Sequence, residues 1–306
     1  MRYTQKRPIH NKIKAPRANL AFYVCGFIII TIFALVCLVP FLYIISGSLT
    51  EEDAIVNDGF HLVPTKFSLN AYKYISASKE QVLHAYVVTI GVTVVGTISA
   101  LIVMSMGAYV LYRKDFRYRN TFAFMFYFTT LFSGGLIPWY IMIVGVLGWK
   151  DSYLALIVPS LCSSWNLLLL RNFMRSIPDS IVESALIDGA NDFRIYRQLI
   201  LPLATPGLAT IGLFVALGYW NDWFNANLFL TKQKMFPLQY FLYKLLANAQ
   251  FLNSPTGSYV AAYVESPPDH SLKMAMACVA TGPIILLYPF LQKYFVKGLV
   301  LGAVKG

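Results

Sequence analysis

The chain has 306 residues, of which 57% are hydrophobic and 13% charged, with a net charge of +11 and a mean hydropathy of +0.58. Soluble domains carry about a quarter charged residues, so this composition excludes a soluble globular fold. The basic excess comes with no RNA-binding motif or basic face, which excludes nucleic acid as its partner; anionic lipid of the inner leaflet is the expected counterpart.

A basic arm over residues 1–20 carries Arg2, Lys6, Arg7, Lys12, Lys14 and Arg17, and a transmembrane domain over 21–306 follows. An ionised side chain is costly in hydrocarbon and about 20 apolar residues cross it, so charge-free intervals locate the spans. Six qualify: between Arg17 and Glu51, Glu80 and Arg113, Arg119 and Lys150, Asp151 and Arg171, Arg197 and Asp222, and Lys273 and Lys293. They predict six transmembrane helices, that is, an all-α polytopic membrane protein. The first apolar run is far longer than a signal-peptide core, which makes it an anchor. Pro40, Pro138, Pro159, Pro206 and Pro283 fall in or near the spans and are expected to mark kinks.

Orientation follows from the distribution of Lys and Arg. With the N-terminus inside, 17 of the 25 lie on the cytoplasmic side: the N-terminal arm, Arg113 to Arg119, Arg171 to Arg197, and Lys293, Lys297 and Lys305. Both termini are therefore expected in the cytoplasm. The first outer loop, Ser46 to Leu83, carries Glu51, Glu52 and Asp53, to which the sequence assigns no role.

The cytoplasmic segment 176–201 is unlike the rest. Pro178 suits a first helical turn, Asp179 and Glu183 favour the positive end of the helix dipole, and Gly189 is a natural stop. Pro178, Ile181, Val182, Ala185, Leu186 and Gly189 form an amphipathic stripe, with Asp179, Ser180, Glu183, Ser184 and Asp188 elsewhere. Asp192 is placed to cap a second short helix carrying Arg194 and Arg197, and Pro202 to open the fifth span. Helices that lie in lipid headgroups carry Lys and Arg on the polar face. This acidic one points to a protein partner.

Late in the fifth span come Trp220, Asn221, Asp222, Trp223 and Asn225. Intramembrane polar groups are costly unless they serve a cavity. On a continuous helix Asn221, Asp222 and Asn225 share a face with the tryptophans to either side, a surface suited to a sugar; the competing readings are an interhelical salt bridge, an aromatic belt and helix–helix hydrogen bonds. Asn166, beside Trp165 on the fourth span, is a further candidate. The outer segment 231–272 is too long for a turn: Pro237 can start an amphipathic helix with Phe241, Leu242, Leu245 and Leu246 on one side. Tyr240, Tyr243, Phe251 and Tyr259 are candidates there for contact with an outside protein. The tail 294–306 is too apolar for a free end and too short to cross again, so it needs a surface to cover.

No reaction chemistry is visible. Gly91 to Gly96-Thr97 is the nearest approach to a phosphate loop and lacks its lysine, and His10, His61, His84 and His270 are scattered. Cys25, Cys37, Cys162 and Cys278 all lie in the proposed spans without a CxxC or His/Cys cluster, so neither a disulfide nor a metal is expected. The chain is not expected to be an enzyme or to hold a cofactor.

Glu183-Ser184-Ala185, Gly189, nine residues, then Leu199, one residue, and Leu201-Pro202 resemble the EAA signature of permease subunits in bacterial ATP-binding-cassette importers, with Ser184 for the usual Ala and Leu199 for the usual Ile. Trp220-Asn221-Asp222-Trp223 and the tail Gln292 to Gly298 and Val304 to Gly306 are similar to the maltose-type carbohydrate permeases. Ser271 to Ala277 and Ala280 to Pro283 narrow the likeness to the branch named LplC/YtcP, whose members are associated with oligosaccharides, several from acidic polysaccharides. The resemblance implies a type I importer permease fold, in which segment 176–201 is the coupling-helix elbow. It implies docking of an ATPase on Glu183, Ser184, Ala185, Asp188, Gly189 and Pro202, and a cytoplasmic inner-membrane location in a bacterium. It also implies a second homologous permease, two cytoplasmic ATPases holding ATP and Mg, and an extracytoplasmic solute-binding protein. Alternatives are a non-sugar importer of the same class and a six-span secondary transporter.

Overall fold

The computed structural model describes residues 17–254 and 267–285, with side chains from Phe22 onward. The N-terminal arm, the 255–266 stretch with Tyr259, and the tail 294–306 lie outside the described residues.

Helix α1 (Arg17–Ser48) is built from branched and aromatic apolar residues, and its Phe22–Ser48 stretch is long and apolar enough to cross a membrane. None of its side chains from Phe22 to Ile45 is buried in the chain's own body. Two short helices, α2 (Glu52–Asp58) and α3 (Asn70–Ala77), lead to α4 (Lys79–Tyr112), the second helix able to cross alone. Ala85, Val88, Val92, Gly96, Ala100, Met104 and Ala108 recur every three or four residues along α4 and are all buried. Small residues on such a stripe let neighbouring backbones approach, the usual way helices associate where lipid removes the hydrophobic drive.

Beyond α1 and α4, the third, fourth and fifth candidate spans are bent pairs of helices, and Pro138, Pro159 and Pro206, expected to mark kinks, lie at or beside the bends. The third comprises α5 (Arg119–Leu131) and α6 (Leu136–Tyr140, continuing as a wider turn through Ile141–Val146), bent by 115°. The cause is local: Gly135 sits at φ +85°, and Pro138 suits the first turn of the new helix. The fourth comprises α7 (Leu154–Ile157, tightening through Val158–Ser160) and α8 (Ser164–Met174), bent by 44°. The Ser163 hydroxyl accepts the Asn166 backbone N–H and restarts the helix. The elbow holds α9 (Asp179–Ile187) and α10 (Asp192–Ile195), the latter running through Tyr196–Ile200 into α11 (Leu201–Leu203). The chain then turns 78° into α12 (Thr205–Trp220). Pro202 lies in α11 before the bend, so it does not open the span; Pro206, in the first turn of α12, does. Short α13 (Phe224–Phe229), outer α14 (Leu238–Leu252) and α15 (270–285) complete the described chain.

α8 and α12 pack on α4. At the α4–α12 crossing a Cβ on Gly96 would fall 2.6 Å from the Tyr219 ring, whose hydroxyl donates to the Ile157 carbonyl at 2.8 Å. Gly96 therefore serves close approach and not phosphate binding. α15 closes the bundle: Tyr86 donates to Val279 O at 2.6 Å and Trp220 to Ala280 O at 3.1 Å. The four cysteines are unpaired. Among the described residues, Arg113 and Lys114 at the end of α4 meet Asp192 and Asp179 of the elbow, and His84 near the start of α4 meets Lys234.

Candidate functional sites: an exposed elbow and a polar outer cavity

Pro178 precedes α9 in extended conformation, and Asp179 occupies its first turn. The apolar stripe is only partly turned inward: Val182 and Ala185 are buried and Ile181 half-buried, but Leu186 is exposed and Ile187 is 87% exposed. Glu183, Ser184, Asp188 and Gly189 are exposed as well. Gly189 stands at φ +74°, its N–H donating to Leu186 O at 3.0 Å, while Ala190 N–H reaches back to Ala185 O at 2.9 Å. This is a left-handed helix stop for which glycine is suited. The residue that caps α10 is Asn191, whose side chain accepts from Arg194 N at 2.8 Å. Asp192, expected in that role, is already helical and has another task.

That task is attachment to α4. Arg113, its side chain 9% exposed, binds Asp115 through Nε at 2.8 Å and Nη2 at 2.6 Å, and reaches Asp192 from Nη2 at 3.2 Å. The guanidinium hydrogen bonds hold the Asp115 carboxyl below its ordinary pKa despite partial burial. Lys114 pairs with Asp179, and Arg171 Nε donates to Leu111 O at 3.0 Å. Asp179 and Asp192 thus strap the elbow down. The Glu183 and Asp188 side chains make no hydrogen bond or ion pair among the described residues. A cavity of about 160 Å³ opens between the end of α4 (Tyr112, Arg113, Lys114) and α9 (Asp179, Val182, Glu183, Leu186).

At the other end the expected helical face does not exist, because α12 stops at Trp220. Asp222 lies in the break and starts α13: its Oδ1 accepts from Asn225 N and its Oδ2 from Asn225 Nδ2, both at 3.0 Å. The break still brings the polar candidates together. Asn166, Asn221, Asp222 and Asn225 line one cavity of about 390 Å³ with Ser160, Ser163, Phe214 and Tyr219. The two serines were not anticipated; their signal is the Ser163-Ser164 helix restart. The tryptophans part company. Trp220 is buried against α15 and does not line the cavity, a correction. Trp223 stacks on Tyr243 at 4.7 Å in an adjoining cavity of about 220 Å³ with Gln239, Leu246 and Met276. Gln239 donates to Asn221 Oδ1 at 3.1 Å between the two cavities.

Helix α14 forms where expected after Pro237, with Phe241 and Leu242 buried. Tyr240 is 3% exposed, which removes it as a contact for another protein, whereas Tyr243 (43%) and Phe251 (53%) are exposed. The turn before α14 is pinned by Leu238 N to Thr89 Oγ1 at 2.7 Å and by His84 Nε2 with Lys234 O at 2.7 Å.

Two carboxylates overlooked in the sequence fasten the outer loops. Asp151 accepts from Thr231 Oγ1 at 2.7 Å, Thr231 N at 2.5 Å and Lys232 N at 3.2 Å, and these bonds lower its pKa. Glu52 accepts from His270 N at 2.8 Å, Ser271 N at 2.9 Å and Ser271 Oγ at 2.7 Å, capping α15 from the far side of the sequence. Burial pushes the Glu52 carboxyl up, but these donors outweigh it and hold the pKa below its ordinary value. Nothing local in the run Glu51-Glu52-Asp53 says which member meets α15.

Comparison with known proteins gives a concordant picture. The family model described as binding-protein-dependent transport system inner membrane component matches residues 106–301. The polygalacturonan/rhamnogalacturonan transport system permease protein YtcP of Bacillus subtilis is 41% identical, over 92% of this chain and 96% of that protein. Protein LplC of the same organism is 38% identical, over 95% and 97%. A chain in the crystal structure of a bacterial ABC transporter involved in the import of the acidic polysaccharide alginate superposes with a TM-score of 0.76 at 33% identity, covering 92% of this chain and 99% of that one.

Proposed function

The chain belongs to the family of inner membrane components of binding-protein-dependent transport systems, and we propose that it is one permease subunit of an ATP-driven importer of oligosaccharides, fragments of acidic polysaccharides among them. The observation that carries this reading is the elbow. It exposes Glu183, Ser184 and the run Leu186 to Gly189, with carboxylates that are unpaired among the described residues, while Arg113 and Lys114 hold its other acidic groups against α4. A surface helix so fastened, yet with Leu186 and Ile187 uncovered, is built to receive a protein and to pass force to the bundle.

In this reading α9 is the coupling helix, and it seats in a cytoplasmic ATPase that holds ATP and Mg. A second, homologous permease completes the pathway, and a solute-binding protein delivers sugar at the outer end, where Tyr243 and Phe251 are exposed. The six spans are α1, α4, the bent pair α5–α6, the bent pair α7–α8, α12, and the span to which α15 belongs. Both termini lie in the cytoplasm of a bacterial cell, and the cavity at Asn166, Asn221, Asp222 and Asn225 belongs to the translocation path. Closure of the ATPases draws the elbows together and switches the bundle between inward-open and outward-open states.

Reconstitution tests this as a whole. Proteoliposomes with both permeases and the ATPases should take up labelled oligosaccharide only with ATP inside and binding protein outside. Uptake driven by an ion gradient without ATP would assign the chain to secondary transport instead.

A further inference from the structure

The outer cavity has a charge character that the rest of the reading does not use. Six polar side chains face it (Ser160, Ser163, Asn166, Asn221, Asp222 and Asn225), and the Phe214 ring lies beside them. Among the described residues no Lys, Arg or His lines it, and its only carboxylate is Asp222. The adjoining cavity at Trp223 and Tyr243 is likewise without a cation. Lys244, next in sequence to Tyr243, sits over the Tyr240 ring at 5.6 Å.

The hydrogen bonds inside the cavity are unevenly committed. Asn221 donates to Leu217 O at 3.0 Å and accepts from Gln239, so its amide is largely occupied. Each Asp222 oxygen accepts one bond from Asn225 and keeps further acceptor capacity. The Asn166 side-chain amide makes no hydrogen bond among the described residues. An acceptor-rich carboxylate, a vacant amide and an aromatic edge suit adjacent hydroxyls and the C–H face of a sugar ring. A carboxylate brought into the same space meets Asp222 with no counter-charge, and like charges brought together at a recognition surface cost several kcal/mol.

We infer that this cavity is a subsite for the uncharged, hydroxyl-bearing face of a sugar unit and that Asp222 turns a uronate carboxylate away from it, toward the partner permease. The inference rests on the translocation-path reading above and names which chemistry this chain's half of the path accepts.

The test uses the complete reconstituted transporter and two probes of equal length: a trimeric uronate and its carboxyl-reduced, uncharged counterpart. The readout is the ratio of their uptake rates, wild type against variant with the same binding protein, so that the binding protein's own preference cancels. Asp222→Asn keeps an acceptor for the Asn225 N–H and should raise the uronate-to-neutral ratio by about tenfold. Asn166→Asp, which adds a second negative charge, should shift the ratio the other way. In parallel, cysteines at positions 166 and 221 should be labelled by a small polar thiol reagent and protected by the neutral trimer. Protection with an unchanged ratio in both variants overturns the subsite alone. Absence of protection overturns the path reading along with it.

Discussion

The elbow and the outer cavity both gather polar residues in an apolar chain, but they spend them differently. At the elbow the acidic groups divide: Asp179 and Asp192 bind to α4's end, while Glu183 and Asp188, exposed and with side chains that make no hydrogen bond or ion pair among the described residues, are the ones proposed for docking. At the outer end single residues serve both purposes, since Asp222 holds α13 in place and also faces the cavity. Which acidic groups hold the elbow is therefore readable residue by residue. At the outer end the arrangement shows only once the breaks in the helices are known.

If the separation is real, the docking face can be destroyed without disturbing the bundle. Glu183→Lys and Gly189→Leu should each leave the permease pair in the membrane and lower copurified ATPase by about tenfold or more, as for loss of an interface hot spot. Gly189→Leu adds strain because φ is +74° there. Full retention of ATPase in both variants, read on a gel of the purified complex, would end the comparison.

The two ends are joined through α4 and α12, which meet at Gly96 and Tyr219. Gly96→Leu should lower stability by about 1–3 kcal/mol through overpacking, seen as a depressed Tm of the detergent-purified complex. An unchanged Tm would show that this contact is loose.

The fastening itself is open to a double-mutant cycle. Arg113→Gln should reduce sugar-stimulated ATP hydrolysis while ATPase still copurifies, and the coupling with Asp192→Asn should be about 0.5–1 kcal/mol, because Asp192 is 66% exposed and screened. Additive effects would mean that the strap transmits nothing.

The smallest effect belongs to Glu52. Its folded pKa lies below the ordinary 4.5, so its contribution is present at neutral pH and is lost as pH falls from 4.5 through the folded value. Glu52→Gln should flatten the acid limb of the stability curve by less than about 1 kcal/mol, since the carboxylate is substantially solvated. An identical acid limb in wild type and variant would remove Glu52 as the cap of α15.

The elbow was legible because its signals are local: Pro178, Gly189 and the stripe between them fix a helix within a dozen residues. Even there the cap fell one residue early, at Asn191, because only an extended residue outside the helix can accept from Arg194 N. In the candidate spans, Pro138, Pro159 and Pro206 pointed to kinks and the bends lie at or beside them, but how far each helix turns was not legible. Gly134-Gly135 ahead of Pro138 and Ser163-Ser164 ahead of Asn166 did carry the signal, yet charge-free intervals are blind to backbone geometry. Trp220 and Trp223 were set on either side of one polar helical face by assuming continuity, and the break at Asn221 to Trp223 sent them to different neighbours. Glu52 and Asp151 act over distances in sequence that no local pattern encodes.

The bareness of α1 bears on how the protein comes to be made. Lipid tails are as apolar as the Phe, Ile and Leu side chains it displays, so a newly inserted copy can rest in the bilayer with this helix uncovered at little energetic cost. In water or in a thin detergent shell the same helix is an open adhesive strip. In the membrane the chain can therefore be made without cover for this helix, whereas at the bench it should be extracted in a thick lipid-like shell.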